Sequence, residues 1–278
     1  MKIIDKILMT AAVMAGTAML TGCDIEPKDR FVELPAIKIE RTALLMDFTG
    51  QRCVNCPAAH EVMEELKRQY GEALITVSIH GGGLAISTDR TDFSRNSIGL
   101  MIHEGNEMND AFGINQWPMG VVDRINANGA AINSGLWATA VRDALEKPTD
   151  VSITAEAEIV DNNKIRVITT SRDNADSQRD LALQVWVVED LIQARQETPD
   201  GRVPDYTHNN VLRYVSYPVK SGLPLKLSKG IDQDTETVID VKWTDKERWN
   251  IDNLSVVAFI SQGTEIQNAV RVKVENNH

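Results

Sequence analysis

Cysteine is scarce. The 278-residue chain has three, which excludes a scaffold held together by disulfides, and an odd number leaves at least one cysteine to be explained separately. Positive charge is also short: 29 Lys and Arg stand against 40 Asp and Glu, a net charge of −11. That excludes the basic face a nucleic-acid binder needs for phosphates and disfavours electrostatic docking on anionic lipid. After the first twenty residues no apolar run approaches the roughly 20 residues of a bilayer-spanning helix. What remains is ordinary for a globular chain, 42% hydrophobic and 25% charged, which excludes wholesale disorder, collagen and coiled coil. The length suggests about two domains.

The N-terminus accounts for the odd cysteine. Lys2 and Lys6 precede an apolar or small-residue run from Ile7 to Leu20, too short to span and of the length of a secretory core segment. It ends in Leu20-Thr21-Gly22-Cys23, which resembles the bacterial lipobox. The resemblance implies a signal peptide over residues 1–22, lipidation of Cys23 and a tethered linker over residues 23–36. More than one acyl chain on Cys23 would anchor the protein stably. Asp24, Glu26 and Asp29 follow the anchor, and Pro27 interrupts regular structure there.

The two other cysteines form Cys53-Val54-Asn55-Cys56. The apolar run Ala43-Leu44-Leu45-Met46-Asp47-Phe48 before them predicts a buried strand. After them Ala58, Val62, Leu66 and Tyr70 fall four apart, with Ala59 and Met63 beside them on the same face, predicting a helix over residues 57–70 that starts at Pro57 and stops at Gly71. A CxxC at a helix N-terminus meets free N–H groups and a partial positive charge, which lower a thiol pKa. In this arrangement Cys53 is the exposed attacking thiol, Cys56 the resolving thiol, and Arg52 a further source of positive potential. A bridge across so small a loop adds only about 2 kcal/mol through chain entropy, so stability alone is a poor reason for it. Cys53, Cys56 and His60 make three ligands with no second cysteine pair, so no metal site is expected, and His60 reads as a solvated helix residue. No cofactor is called for.

The pattern resembles the thioredoxin family over residues 37–147. Asp47 stands six residues before Cys53, and Phe112-Gly113-Ile114-Asn115-Gln116-Trp117-Pro118 precedes the apolar Met119-Gly120-Val121-Val122. The resemblance implies that Asp47 is a buried carboxyl relaying protons near the resolving cysteine. It also implies a cis bond at Pro118, beside which an extended peptide would pair. A strand over residues 74–79, a turn at Asn126-Ala127-Asn128-Gly129, a last strand and a helix around Leu136-Trp137 to Leu145 complete the expected order. The chain departs from the family in three ways. Arg52 replaces the usual Trp, Trp117 is bulky, and residues 81–111 form an insert that either caps the site or pads the fold. His80, at a strand end, is a candidate for tuning the CxxC.

Beyond Glu146-Lys147-Pro148-Thr149-Asp150 the pattern changes to alternation. Val151, Ile153, Ala155, Ala157 and Ile159 share one face, Asp161-Asn162-Asn163-Lys164 makes a turn, and Ile165, Val167 and Thr169 return. Strand-like runs at residues 181–188, 235–243, 254–260 and 269–274 predict an all-β, immunoglobulin-like sandwich over residues 148–278. The stretch Tyr206-Thr207-His208-Asn209-Asn210-Val211-Leu212-Arg213 reads as a pinned loop, or as a contact surface for the first domain, a second copy or a ligand.

Taken together, the lipobox, Thr49-Gly50 ahead of Cys53-Val54-Asn55-Cys56-Pro57, the sandwich and His208-Asn209-Asn210 resemble the Omp28-related outer-membrane lipoproteins of Bacteroidetes. That resemblance implies a cell-envelope protein, lipid-anchored at the outer membrane. Two functions stay open: a thiol–disulfide oxidoreductase acting on envelope protein thiols and disulfides, or a non-catalytic surface binding or adhesion protein for protein or glycan. In the first, Cys53, Cys56, Asp47 and Pro118 carry the chemistry. A homodimer is among the expected partners; nucleic acid is not.

Overall fold

The strands can be followed from the buried run that opens the chemistry. In the computed structural model, residues 41–276 are described apart from 126 and 161–163. The expected signal peptide, Cys23, the expected linker, residues 37–40, Asn126 and the expected turn at Asp161, Asn162 and Asn163 therefore lie outside the described residues. Lys38–His278 forms one compact unit.

The first half runs β1 (Ala43–Thr49), α1 (Cys56–Tyr70), β2 (Leu74–His80), α2 (His103–Ala111), β3 (Met119–Val122) and α3 (Trp137–Leu145). β1 pairs parallel with β2 from Ala43↔Leu74 to Thr49↔His80, and antiparallel with β3. Every residue of β1 is buried, and its side chains alternate between two cores. Ala43 and Leu45 pack with Ala59, Met63 and Leu66 of α1 and with Trp137 and Val141 of α3. Leu44, Met46 and Phe48 pack on the opposite face with Met108 of α2. The buried stripe of α1 is Cys56, Ala59, Met63 and Leu66, so within the expected face it is the Ala59–Met63–Leu66 side that turns inward. The helix ends at Gly71, whose positive φ of 56° suits glycine and whose N–H reaches the Lys67 carbonyl. The expected strand after β3 shrinks to a two-bond bridge between Gly120 and Ile132.

The second half holds β4 (Val151–Val160), β5 (Lys164–Asp173), β6 (Leu181–Glu189), β7 (Ile192–Thr198), β8 (Gly201–His208), β9 (Val211–Val215), β10 (Leu223–Leu225), β11 (Gln233–Asp240), β12 (Leu254–Gln262) and β13 (Glu265–Lys273). β4, β5 and β11 form a three-stranded sheet. It packs its apolar side, including Val151, Ile153, Ile165 and Val167, on Leu183, Val185, Val187 and Val256 of β6 and β12.

The change of pattern near residue 148 is not a break in the larger sheet. Its order is β13-β12-β6-β9-β2-β1-β3, with β10 beside β6. Strands from both halves thus share one sheet, joined where Ser78 of β2 pairs in parallel with Val211 of β9. β6 and β12 are buried on both faces, which explains their nearly unbroken apolar runs. Trp186, Val188 and Phe259 turn to the same core as Phe48, so a single apolar layer underlies both halves.

Candidate functional site

The CxxC loop begins where β1 ends. Cys53 and Cys56 are disulfide-bonded, with Cα atoms 5.4 Å apart. Cys53 is 2% exposed and Cys56 fully buried, so the expectation of an exposed attacking thiol at Cys53 is corrected. Two segments distant in sequence cover it. One is the insert: the Arg52 N–H donates to the Leu84 carbonyl at 2.9 Å. The Gln51 amide donates to the Ile98 carbonyl and accepts from the Leu100 N–H. The approach is so close that a Cβ on Gly50 would lie 2.6 Å from the Leu84 carbonyl carbon and oxygen. Residues 81–111 thus do both things expected of them as alternatives: Leu84, Ile98 and Leu100 lie against the CxxC loop, while Ile102 and Met108 pack into the core.

The other cover is the β7–β8 hairpin. The Glu197 N–H donates to the Gln51 carbonyl at 2.8 Å. Gln196, fully buried, donates through Nε2 to the carbonyls of Cys53 at 2.8 Å and Gly50 at 3.2 Å. Arg52 is exposed and its guanidinium makes no ion pair among the described residues. The Trp117–Pro118 bond is cis, just ahead of β3. The Trp117 ring lies against Gly82, where a Cβ would fall 2.2 Å from the ring.

Behind the loop lies a buried polar cluster. Asp47 is fully buried and neither carboxylate oxygen has a hydrogen-bond partner. His60, one turn beyond Cys56 on α1, holds its Nε2 3.4 Å from the Asp47 carboxylate and 3.1 Å from the Thr49 hydroxyl. Its Nδ1 meets the Tyr206 hydroxyl at 3.0 Å. His60 is thus a bridging residue rather than a solvated one. Tyr206 stacks edge-on with His208, and His208 with His80.

His80 and His208 are both held neutral. Burial pushes His80 far below the ordinary imidazole range, helped by the neighbouring His208 and His60. Burial pulls His208 down to about 3. His80 packs edge-on against His208 rather than forming a hydrogen bond, so any influence on the thiols would come from a neutral ring. Among the described residues no three His, Cys, Asp or Glu side chains converge to hold a metal ion.

The singled-out stretch is the end of β8, a turn and β9 rather than a loop. Asn210 takes the left-handed φ of 56° that Asn tolerates. Its N–H donates to Asp190, its carbonyl accepts from the Ser78 N–H, and its side-chain oxygen accepts from Lys67 and Arg271. This is the junction of the two halves, the contact with the first domain that was one of the open readings. Sequence reasoning missed Gln51 and Gln196. Neither carries a local signal, since each is a single amide in a polar stretch whose role exists only once distant segments meet. Tyr206 and His208 lay within the flagged stretch but without their partners.

A family model described as outer membrane protein Omp28 matches residues 105–278. HBP35 of Porphyromonas gingivalis is similar in structure at 15% identity and a TM-score of 0.64, covering 84% of this chain and 75% of that one. At that identity the likeness speaks to the fold alone: a mixed α/β first region followed by a mostly β second one. A domain of the outer membrane lipoprotein Omp28 from the same organism aligns with 48% of this chain and 93% of its own, at 19% identity and a TM-score of 0.34. None of the curated proteins matches.

Proposed function

The chain belongs to the Omp28 family of outer membrane proteins, and on that footing we propose that it is a lipid-anchored envelope binding protein whose disulfide is structural. The anchor is Cys23, and the first half is a thioredoxin-like unit serving as a scaffold. The parallel β1–α1–β2 unit, the antiparallel β3, the cis Pro118 and the shared packing face of α1 and α3 support that assignment. The second half is an immunoglobulin-like sandwich presenting a surface to protein or glycan.

The observation that carries the binding reading is the burial of Cys53 under Gln196 and the Leu84 segment. Disulfide exchange needs a nucleophile to reach a sulfur, and access controls its rate. Both cysteines are buried here, and the hydrogen bonds that hold the insert and the hairpin on their loop would have to break first.

A second reading, a gated oxidoreductase acting on envelope protein disulfides, draws on one specific observation. Asp47 keeps a buried carboxylate without a hydrogen bond, beside His60 alone among the described residues, at the position where a proton relay for Cys56 would stand. In that reading Cys53 attacks and Pro118 shapes the peptide groove after the hairpin opens.

Redox titration of Cys53 and Cys56 with glutathione or dithiothreitol, counting alkylated thiols by mass, separates the two. The binding reading expects a bridge that resists reduction to below about −300 mV; a reversible midpoint between about −120 and −270 mV overturns it in favour of the oxidoreductase. A Cys56→Ser variant, which keeps the attacking Cys53 and lacks the resolving thiol, trapping mixed disulfides in the native envelope would do the same.

A further inference from the structure

A cleft of about 490 Å³ opens between α1 and the end of β8, lined among others by Glu61, Glu64, Ser78, His80, Tyr206 and His208. Its size is that of a small-ligand site. The inner wall is a row of rings: His60 to Tyr206 with centroids 6.0 Å apart, Tyr206 to His208 at 4.9 Å, and His208 to His80 at 5.4 Å. His80 and His208 are almost wholly buried, yet both nitrogens of His80 and the Nε2 of His208 have no hydrogen-bond partner. Buried polar atoms are normally paired; here one nitrogen of neutral His80 and the Nε2 of His208 leave unused acceptor capacity beside π faces, with a single His80 N–H as the unused donor.

The rim is acidic. Glu61, Glu64 and Glu65 come from neighbouring turns of α1. Arg68 pairs with Glu65, and Lys67 lies 3.7 Å from Glu64, whereas Glu61 makes no ion pair among the described residues. The negative field reaches the wall: Tyr206 is pushed above the ordinary phenol range by burial first and then by the charges of Glu61, Asp47 and Glu64. Neutral His80 and His208 set no positive charge against it. A carboxylate or phosphate would meet like charge and lone pairs there. A bare metal ion would lack three converging ligands. An alkylammonium or alkylguanidinium group meets acceptors, aromatic faces and opposite charge together.

We infer that this cleft binds an organic cation with N–H donors, an ammonium or guanidinium head group held against Tyr206 and His208 under the acidic rim of α1. The inference does not depend on whether the disulfide reacts.

The test is a ring-resonance NMR titration of the chain from Asp24 onward, which keeps the whole compact unit Lys38–His278. Butylammonium and butylguanidinium are the probes, with butyrate and butanol as anionic and neutral controls. The cations are expected to saturate and to shift Tyr206 and His208, and the controls to do neither. The surface pair E61Q/E64Q is expected to weaken binding at least about fivefold with an unchanged urea midpoint, and raised salt to weaken the wild type. A capped Gly-Arg-Gly peptide binding more tightly than butylguanidinium assigns the head group to a protein side chain; the reverse assigns it to a free small molecule. Equal binding of butyrate or butanol, shifts confined to other sites, full affinity in the double variant, or saturation by Zn²⁺ alone overturns the inference.

Discussion

Replacing Gln196 with alanine should expose the disulfide long before it unfolds the protein. Its Nε2 carries two hydrogens and faces three carbonyls, of Cys53 at 2.8 Å, Glu197 at 3.1 Å and Gly50 at 3.2 Å. Two hydrogens make two full bonds, and a net value of about 0.5–1.5 kcal/mol each gives about 1–3 kcal/mol. The Gln196 Oε1 is itself buried without a partner, so deleting the side chain also removes a cost, and the lower half of that range is expected. The loss falls on the contact between the β7–β8 hairpin and the CxxC loop, so it lowers the free energy of local opening. At about 1.4 kcal/mol per factor of ten, dithiothreitol should reduce Cys53–Cys56 about five to twenty times faster than in the wild type. The assay is pseudo-first-order reduction followed by rapid alkylation and mass counting, with urea unfolding run in parallel. An unchanged reduction rate, whether or not the urea midpoint falls, would refute the assignment of Gln196 as the clamp.

Four further outcomes follow from the same structure. Gly50→Ala puts a methyl 2.6 Å from the Leu84 backbone, which cannot rotate away; overpacking of about 1–3 kcal/mol and faster reduction are expected, read by the same two assays. For pH, His208 is unprotonated in the folded state down to about 3 but takes a proton near 6.5 when unfolded. The unfolded state therefore binds more protons between those values and stability falls as pH falls. From pH 6.5 to 5.5 the approach to full slope is about 1 kcal/mol for this group, more with the likewise depressed His80, and His208→Gln should flatten the urea-midpoint profile. Arg41→Ala leaves Asp123, buried at the β1 entry and 2.9 Å from the guanidinium, without its partner; a loss of about 3–5 kcal/mol is expected in urea unfolding. Tyr206→Phe removes the hydroxyl at 3.0 Å from His60 and should cost about 1 kcal/mol, with a shift of the His60 ring resonances as the direct readout.

Local features carried much of this architecture in the sequence. The apolar run before Cys53, the Pro57 start and Gly71 stop of α1, the helical spacing of α3 and the alternation of β4 and β5 each depend on neighbours a few residues away. The Omp28 family and the outer-membrane envelope location were legible as well, because the motifs survive as strings. What stayed hidden depends on closure over long distances. β8 reads Gly201-Arg202-Val203-Pro204-Asp205-Tyr206-Thr207-His208, too polar for a core strand, and its exposed face shows why. That it ends with a tyrosine and a histidine against α1 and β2 follows only from the parallel register of Ser78 with Val211. The burial of Cys53 was missed for the same reason: its cover comes from residues near 84 and 196, and no spacing around the CxxC announces them. His60 was misread because a lone histidine on a helix carries no sign of the strand and hairpin it will meet.

The position of β1 also sets how the molecule meets mechanical load. The strand lies between β2, with seven residue pairs, and β3, with four. Arg41, immediately before β1, is bound to Asp123 and to the Ile266 carbonyl, and the Thr42 N–H to Asn268. A pull on the N-terminal segment is therefore delivered along the length of a central strand rather than at a sheet edge. The ladders on both sides share it in shear, and the cross-links at Arg41 and Thr42 take the first strain. If residues 23–36 are the proposed tether, drag on the body would load this strand rather than peel the fold open from its margin.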